Sequence, residues 1–174
     1  VEKEINFFSH FFKPEFYVVQ TGSLIKEINQ VGNFNKEFVQ RISKILKSKG
    51  IKLKEHNADY LSKEDISERR GVVDAMNIAP QLGVVQTMIT LNKCLIYGID
   101  FSDFLNEVYE CGKWKKWMYN NNPENKFLCC VIAWHYHFSS KNYKKLIERL
   151  NEREDIKENI INAIIEVIDH YVGR

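Results

Sequence analysis

The amino-acid sequence predicts a mixed α/β fold: parallel strands alternating with helices over residues 1–100, then an all-helical extension over 101–174. Three observations carry this expectation. Short apolar runs recur near residues 18, 53 and 75; stretches with three-and-four apolar spacing stand between and after them; and no clear strand follows Asp100. Such alternation implies parallel pairing through right-handed crossovers.

In Glu2 to Phe12, residues Ile5, Phe8 and Phe12 have near-helical spacing, and Pro14 closes the helix because the residue before a proline is steered out of the α region. Phe16-Tyr17-Val18-Val19-Gln20 has the composition of a buried strand that stops at Thr21-Gly22. A polar loop with Asn29, Gly32, Asn33 and Asn35 leads to Phe38, Val39, Ile42, Ile45 and Leu46, the stripe of an amphipathic helix with Gly50 past its end. Ile51 to His56 is a second strand and Asn57 to Leu61 a loop. Ser62, with Asp65 three positions on, opens a short helix through a capping box, and Gly71 breaks it. Val72 to Ala79 is the third strand, ended by Pro80, and Val84 to Tyr97 a helix stopped by Gly98. Further on, Phe101, Phe104, Leu105 and Val108 make one helical stripe, and Ile156, Ile160, Ile164 and Ile168 another behind a cap at Asp155. Val131, Ile132 and Trp134 also suit a strand, in which His135 and His137 would share a face.

At 174 residues, 44% hydrophobic and 13% aromatic, the chain can bury a core. A net charge of +2, with both signs interspersed, favours neither nucleic acid nor an anionic membrane as partner. Cys94, Cys111, Cys129 and Cys130 show no disulfide framework, and no apolar run suits a signal core or a membrane span, so a reducing cytoplasm is expected. The first residue, Val1, is compatible with methionine removal or with a natural chain that begins upstream.

A parallel sheet needs both faces covered and its edges paired, and a closed eight-stranded barrel takes roughly 250 residues. Three units are too few to close such a barrel, and the expectation, which the family resemblance given below implies, is the last three β/α units of a (β/α)8 TIM barrel. A missing N-terminal half or a partner subunit would supply the other strands; the alternative is an open sheet shielded by the helical extension. Unpaired apolar edges predict an oligomer or aggregation.

Chemistry in parallel α/β folds gathers at the carboxyl ends of the strands. Here those tips read Gln20-Thr21-Gly22-Ser23, Glu55-His56-Asn57-Ala58-Asp59-Tyr60 and Met76-Asn77-Ile78-Ala79-Pro80-Gln81. A carboxylate and an imidazole at one tip can hold a divalent cation or shuttle a proton, but neighbouring strand residues point to opposite faces, and His56 is taken as the one at the mouth. Gly22 and Ser23 can cradle a phosphate or simply make a tight turn. Asn77 can bond a substrate or tie its strand to the next loop. Adjacent Cys129 and Cys130 lack the Cys-x-x-Cys spacing for zinc, and Trp114, Trp117 and Trp134 suit either sugar stacking or a core.

The order Val18-Val19-Gln20-x-Gly22, then Glu55-His56-Asn57-x-Asp59-Tyr60, then Trp114-Lys115-Lys116-Trp117-Met118 resembles the C-terminal half of the accessory subunits of tagatose-bisphosphate aldolase (GatZ/KbaZ type). Thr21 stands where that family has proline, the histidine follows the glutamate directly instead of one residue later, and Met76-Asn77-Ile78 is closer to the Asn-Ile strand of catalytic class II aldolases. The resemblance implies part of a metal-dependent aldolase acting on a ketose bisphosphate, with Zn2+ as cofactor polarising the substrate carbonyl. His56 would then be a metal ligand, Glu55 and Asp59 would position a ligand or move a proton, and Gln20, Gly22, Ser23 and Asn77 would contact phosphate or substrate. The other ligands would lie on absent strands. The alternatives are a non-catalytic accessory subunit that stabilises a catalytic partner, and another carbohydrate-modifying barrel chemistry.

Overall fold

The computed structural model describes residues 2–119 and 125–173. It is a mixed α/β protein in which contacts define two compact units: residues up to Ile25 with Gln30–Ile78, and Lys26–Asn29 with the residues from Ala79 onward. The division falls before the helix that starts at Pro80, whereas the boundary expected at residue 100 placed that helix with the strands.

In the first unit, α1 (Glu2–Phe8) precedes β1 (Phe16–Val19), α2 (Lys36–Ser48), β4 (Lys52–Glu55), α3 (Lys63–Arg69) and β5 (Ala75–Met76). Between β1 and α2 stand the short strands β2 (Ile25–Lys26) and β3 (Asn29–Gln30), which pair in a sheet of their own. The polar stretch expected to be plain loop thus holds a hairpin; two-residue strands are too short to show a period in sequence. The other three strands form a sheet in the order β1-β4-β5, parallel throughout, with Tyr17 beside Leu53, Val19 beside Glu55 and Glu55 beside Met76. The third strand is only Ala75–Met76, shorter than the Val72–Ala79 expected. Val72 and Val73 instead donate their amides to Arg69 O and close the turn after α3.

Local signals explain the helix ends. Asn35 accepts from Phe38 N at the start of α2, and Gly50, at φ +68°, follows its end. Ser62 and Asp65 exchange bonds as a capping box on α3. Val39, Ile42 and Leu46 of α2 bury against Val19, Ile51 and Leu53, with Ile5 of α1 in the same cluster. The opposite sheet face is open: Phe16 and Val18 are 39% and 55% exposed.

The second unit is helical. It contains α4 (Pro80–Ile96), α5 (Ser102–Glu110), a 3-10 turn (Lys113–Lys116), α6 (Lys126–Ala133), a second 3-10 turn (Trp134–His137), α7 (Lys141–Asn151) and α8 (Ile156–Val172). Residues 131–134, which also suited a strand, are helical, and their side chains are buried in the core. Asp155 caps α8 by accepting from Lys157 N and Glu158 N. Ile156 and Ile160 face the core, with Ile164 packed against it, but Ile168 is 42% exposed and belongs to a neighbouring stripe. Among the described residues, no helix is long and apolar enough to cross a membrane.

Candidate functional site at the strand tips

Parallel pairing brings the carboxyl ends of β1, β4 and β5 side by side. Gln20, His56 and Asn77 each follow the last residue of one strand. Alternation then separates Glu55 from His56. Glu55 points inward with Leu53 and is fully buried. Its Oε1 accepts from Thr21 Oγ1 at 2.5 Å and from the Ser23 hydroxyl, and its Oε2 accepts from Arg69 Nε at 2.7 Å. Arg69 is 2% exposed, donates through Nη1 to Asp65 O at 2.8 Å, and holds its guanidinium 4.0 Å from the centre of the Phe34 ring. A carboxylate with a paired cation, two hydroxyl donors and no solvent contact is a brace, joining β4 to the turn after β1 and to α3.

His56 lies on the other side of the strand and is partly buried. Asn77 Nδ2 stands 3.3 Å from its Nδ1. An amide nitrogen only donates, so in this contact Nδ1 is the acceptor, which leaves Nε2 as the ring's donor. The Asn77 backbone also ties the tips together, donating to Glu55 O at 3.0 Å and accepting from Ala58 N at 3.1 Å. Gln20 is exposed beside this pair in strand order.

Gln30 organises the loops around the tips. Its Nε2 donates to Asn57 O at 2.9 Å and Asp59 O at 3.1 Å, while its Oε1 accepts from Leu24 N at 2.6 Å and Gly32 N at 3.1 Å. Asn57 and Tyr60 adopt left-handed backbone angles, φ 56° and 59°, which fold the loop after β4 tightly back. Asp59 is fully buried within it. Gly22, at φ +104°, has no room for a side chain: a Cβ there would lie 2.0 Å from Asn33 O. That space is filled by a carbonyl oxygen, which repels an anion, and the Ser23 hydroxyl is given to Glu55.

The structure therefore brings Gln20, His56 and Asn77 to adjacent strand ends and draws Glu55, Asp59 and Ser23 inside. Arg69, Gln30 and Thr21 escaped the sequence reading. Nothing in Ser67-Glu68-Arg69-Arg70 marks which arginine turns inward, and Gln30 sits in a stretch read as unstructured.

As a zinc centre the donor set does not fit. His56 is one ligand, both Glu55 oxygens are engaged, and among the described residues no three His, Cys, Asp or Glu side chains converge. Cys129 and Cys130 offer no substitute. Both are buried in the helical core, and burial pushes the Cys130 thiol up to about 12, which keeps it protonated and a poor ligand. Trp114 and Trp134 are core residues; Trp117 is half-exposed.

No protein-family model matches the sequence. No curated protein matches it either. Among solved structures, the chain is similar to that of a probable tagatose 6-phosphate kinase from Sinorhizobium meliloti 1021, with a TM-score of 0.64 and 14% identity. The match covers 98% of this chain and 55% of that one, so this chain spans little more than half the length of that protein. At this identity the likeness is one of fold.

Proposed function

We propose that the chain is the strand-tip portion of a β/α protein of phosphorylated-sugar metabolism, and that it serves as a non-catalytic accessory subunit. Its rim of Gln20, His56 and Asn77 binds a sugar phosphate, and a catalytic partner performs the chemistry. The observation that carries this reading is the state of Glu55: the strongest candidate for acid-base work is fully buried and bonded to Arg69, Thr21 and Ser23. A general base must reach a substrate proton, and this carboxylate has no free path to one. The rim keeps hydrogen-bonding groups suited to hydroxyls: an imidazole with its Nε2 proton outward of the Asn77 contact, and the Gln20 amide. The fold likeness to a protein named as a tagatose 6-phosphate kinase agrees with a sugar-phosphate ligand.

The open sheet face and the two edge strands, each paired on one side among the described residues, suit completion by further parallel strands from another polypeptide. In the second reading, that of a class II aldolase half, those strands also bring metal ligands to join His56. The part-exposed imidazole on the open face favours keeping this reading in view.

Activity measurements separate the two. Alone with added zinc, the chain is expected to leave a ketose bisphosphate intact, and mixed with a catalytic aldolase subunit it is expected to raise the yield or lifetime of active enzyme. Cleavage that arises only in the mixture, needs zinc and is abolished in His56→Ala would establish the aldolase reading instead. No effect in either experiment would end both.

A further inference from the structure

The second unit carries a cluster of lysines on aromatic rings that the strand-tip reading does not use. Lys113 Nζ and Lys116 Nζ stand 4.8 Å and 5.0 Å from the centre of the same Tyr136 ring, and Lys116 Nζ is also 4.8 Å from the Trp117 ring. Trp117 Nε1 donates to Tyr136 Oη at 3.3 Å, which leaves the phenol's own proton free to point outward. Lys26, from the hairpin turn that belongs to this unit, adds a third ammonium by donating to Lys116 O at 3.1 Å and Met118 O at 3.4 Å.

The ion pairs found among the described residues include none of these lysines. Glu107 is committed to His137 at 2.7 Å and Asn142 at 2.8 Å, and Glu27 accepts from Tyr119 N at 3.5 Å. The field reaches a neighbour: His135, whose ring lies tilted with its centre 4.1 Å from that of Tyr136, is held below the usual imidazole range by burial and then by Lys116, His137 and Lys113.

We propose that Lys113, Lys116, Trp117 and Tyr136 form an anion-binding site that takes the phosphoryl group of a small phosphorylated ligand. Two ammonium groups converging on one ring suit a compact oxyanion, which charge-assisted bonds from both would hold. The half-exposed Trp117 and Tyr136 rings offer an apolar floor for the ligand's organic part, and the phenol proton a further donor. The site lies within the helical unit and does not depend on the strand-tip reading.

The test is an NMR titration of the full chain with inorganic phosphate, using sodium chloride at matched ionic strength as control. Saturable shifts at the Trp117 indole and at Lys113 and Lys116 are expected, with a Kd on the order of 1 mM, as exposed and screened contacts allow. The double variant Lys113→Gln/Lys116→Gln should weaken binding at least about tenfold. Lys113→Arg/Lys116→Arg should retain it, which separates lost charge from lost fold, and His56→Ala should leave it unchanged. Shifts that chloride reproduces, unchanged binding by the glutamine variant, or tighter binding of an oligothymidine than of phosphate and hexose phosphate would overturn the assignment.

Discussion

Arg69 and Glu55 form an ion pair of 2.7 Å in which both side chains are shielded almost completely from solvent. Breaking one half of such a pair leaves a buried charge without compensation, a loss of about 3–5 kcal/mol. Arg69→Met and Glu55→Ala are each expected to lower unfolding free energy by that amount in urea titrations. A double variant should be less destabilised than the sum of the two. Strict additivity would show that the pair is not the brace described.

Gly22 joins a left-handed backbone angle to a contact that tolerates no Cβ, 2.0 Å from Asn33 O. Strain and overpacking act together in Gly22→Ala, and about 2–4 kcal/mol of stability should be lost. Thermal unfolding followed by circular dichroism measures it. A variant as stable as the parent would mean that the loop relaxes freely.

Part of this architecture is legible in residue order. Ser62 and Asp65, Gly50, and Asp155 mark helix ends because capping is local chemistry, and the run at 16–19 shows the aromatic and β-branched composition of a parallel strand, whereas 52–55 shows only an alternation around Leu53. What escapes is what depends on partners far along the chain. Thr21 reads as a strand end and Ser23 as a phosphate cradle or a turn until Glu55 arrives 34 and 32 positions later, and nothing local to Arg69 points it at that same carboxylate. Glu55 itself looked chemical because it stands at a strand end; alternation sends it inward with Leu53 and leaves His56 outside.

Tyr17 provides a pH signature. Burial, then the hydrogen bond and charge of Glu4, push its phenol up to about 12. Because the folded value lies above the unfolded one of about 10, the associated stability is present below pH ~10 and is lost as pH rises from there to about 12. Tyrosinate absorbance should show a late-titrating phenol. In Glu4→Gln it should ionise earlier but still late, since burial is the larger cause. An unchanged titration in that variant would rule out the Glu4 contact.

The cysteines should separate by burial. Burial pushes Cys94 up to about 11 and Cys130 up to about 12, and raises Cys129 as well, while Cys111 is exposed. A thiol reagent at pH 8 should label Cys111 rapidly and the other three only on unfolding. Rapid labelling of Cys130 in the native state would contradict the helical core as described.

The central claim is that Gln20, His56 and Asn77 act together as a ligand-binding rim. A titration of the isotope-labelled chain with a ketose bisphosphate, read at the His56 imidazole and the Gln20 and Asn77 amides, tests it most directly. Saturable shifts are expected at all three residues, lost in His56→Ala and kept in Lys113→Gln/Lys116→Gln. Shifts confined to the lysine cluster, or none at the strand ends, would contradict it.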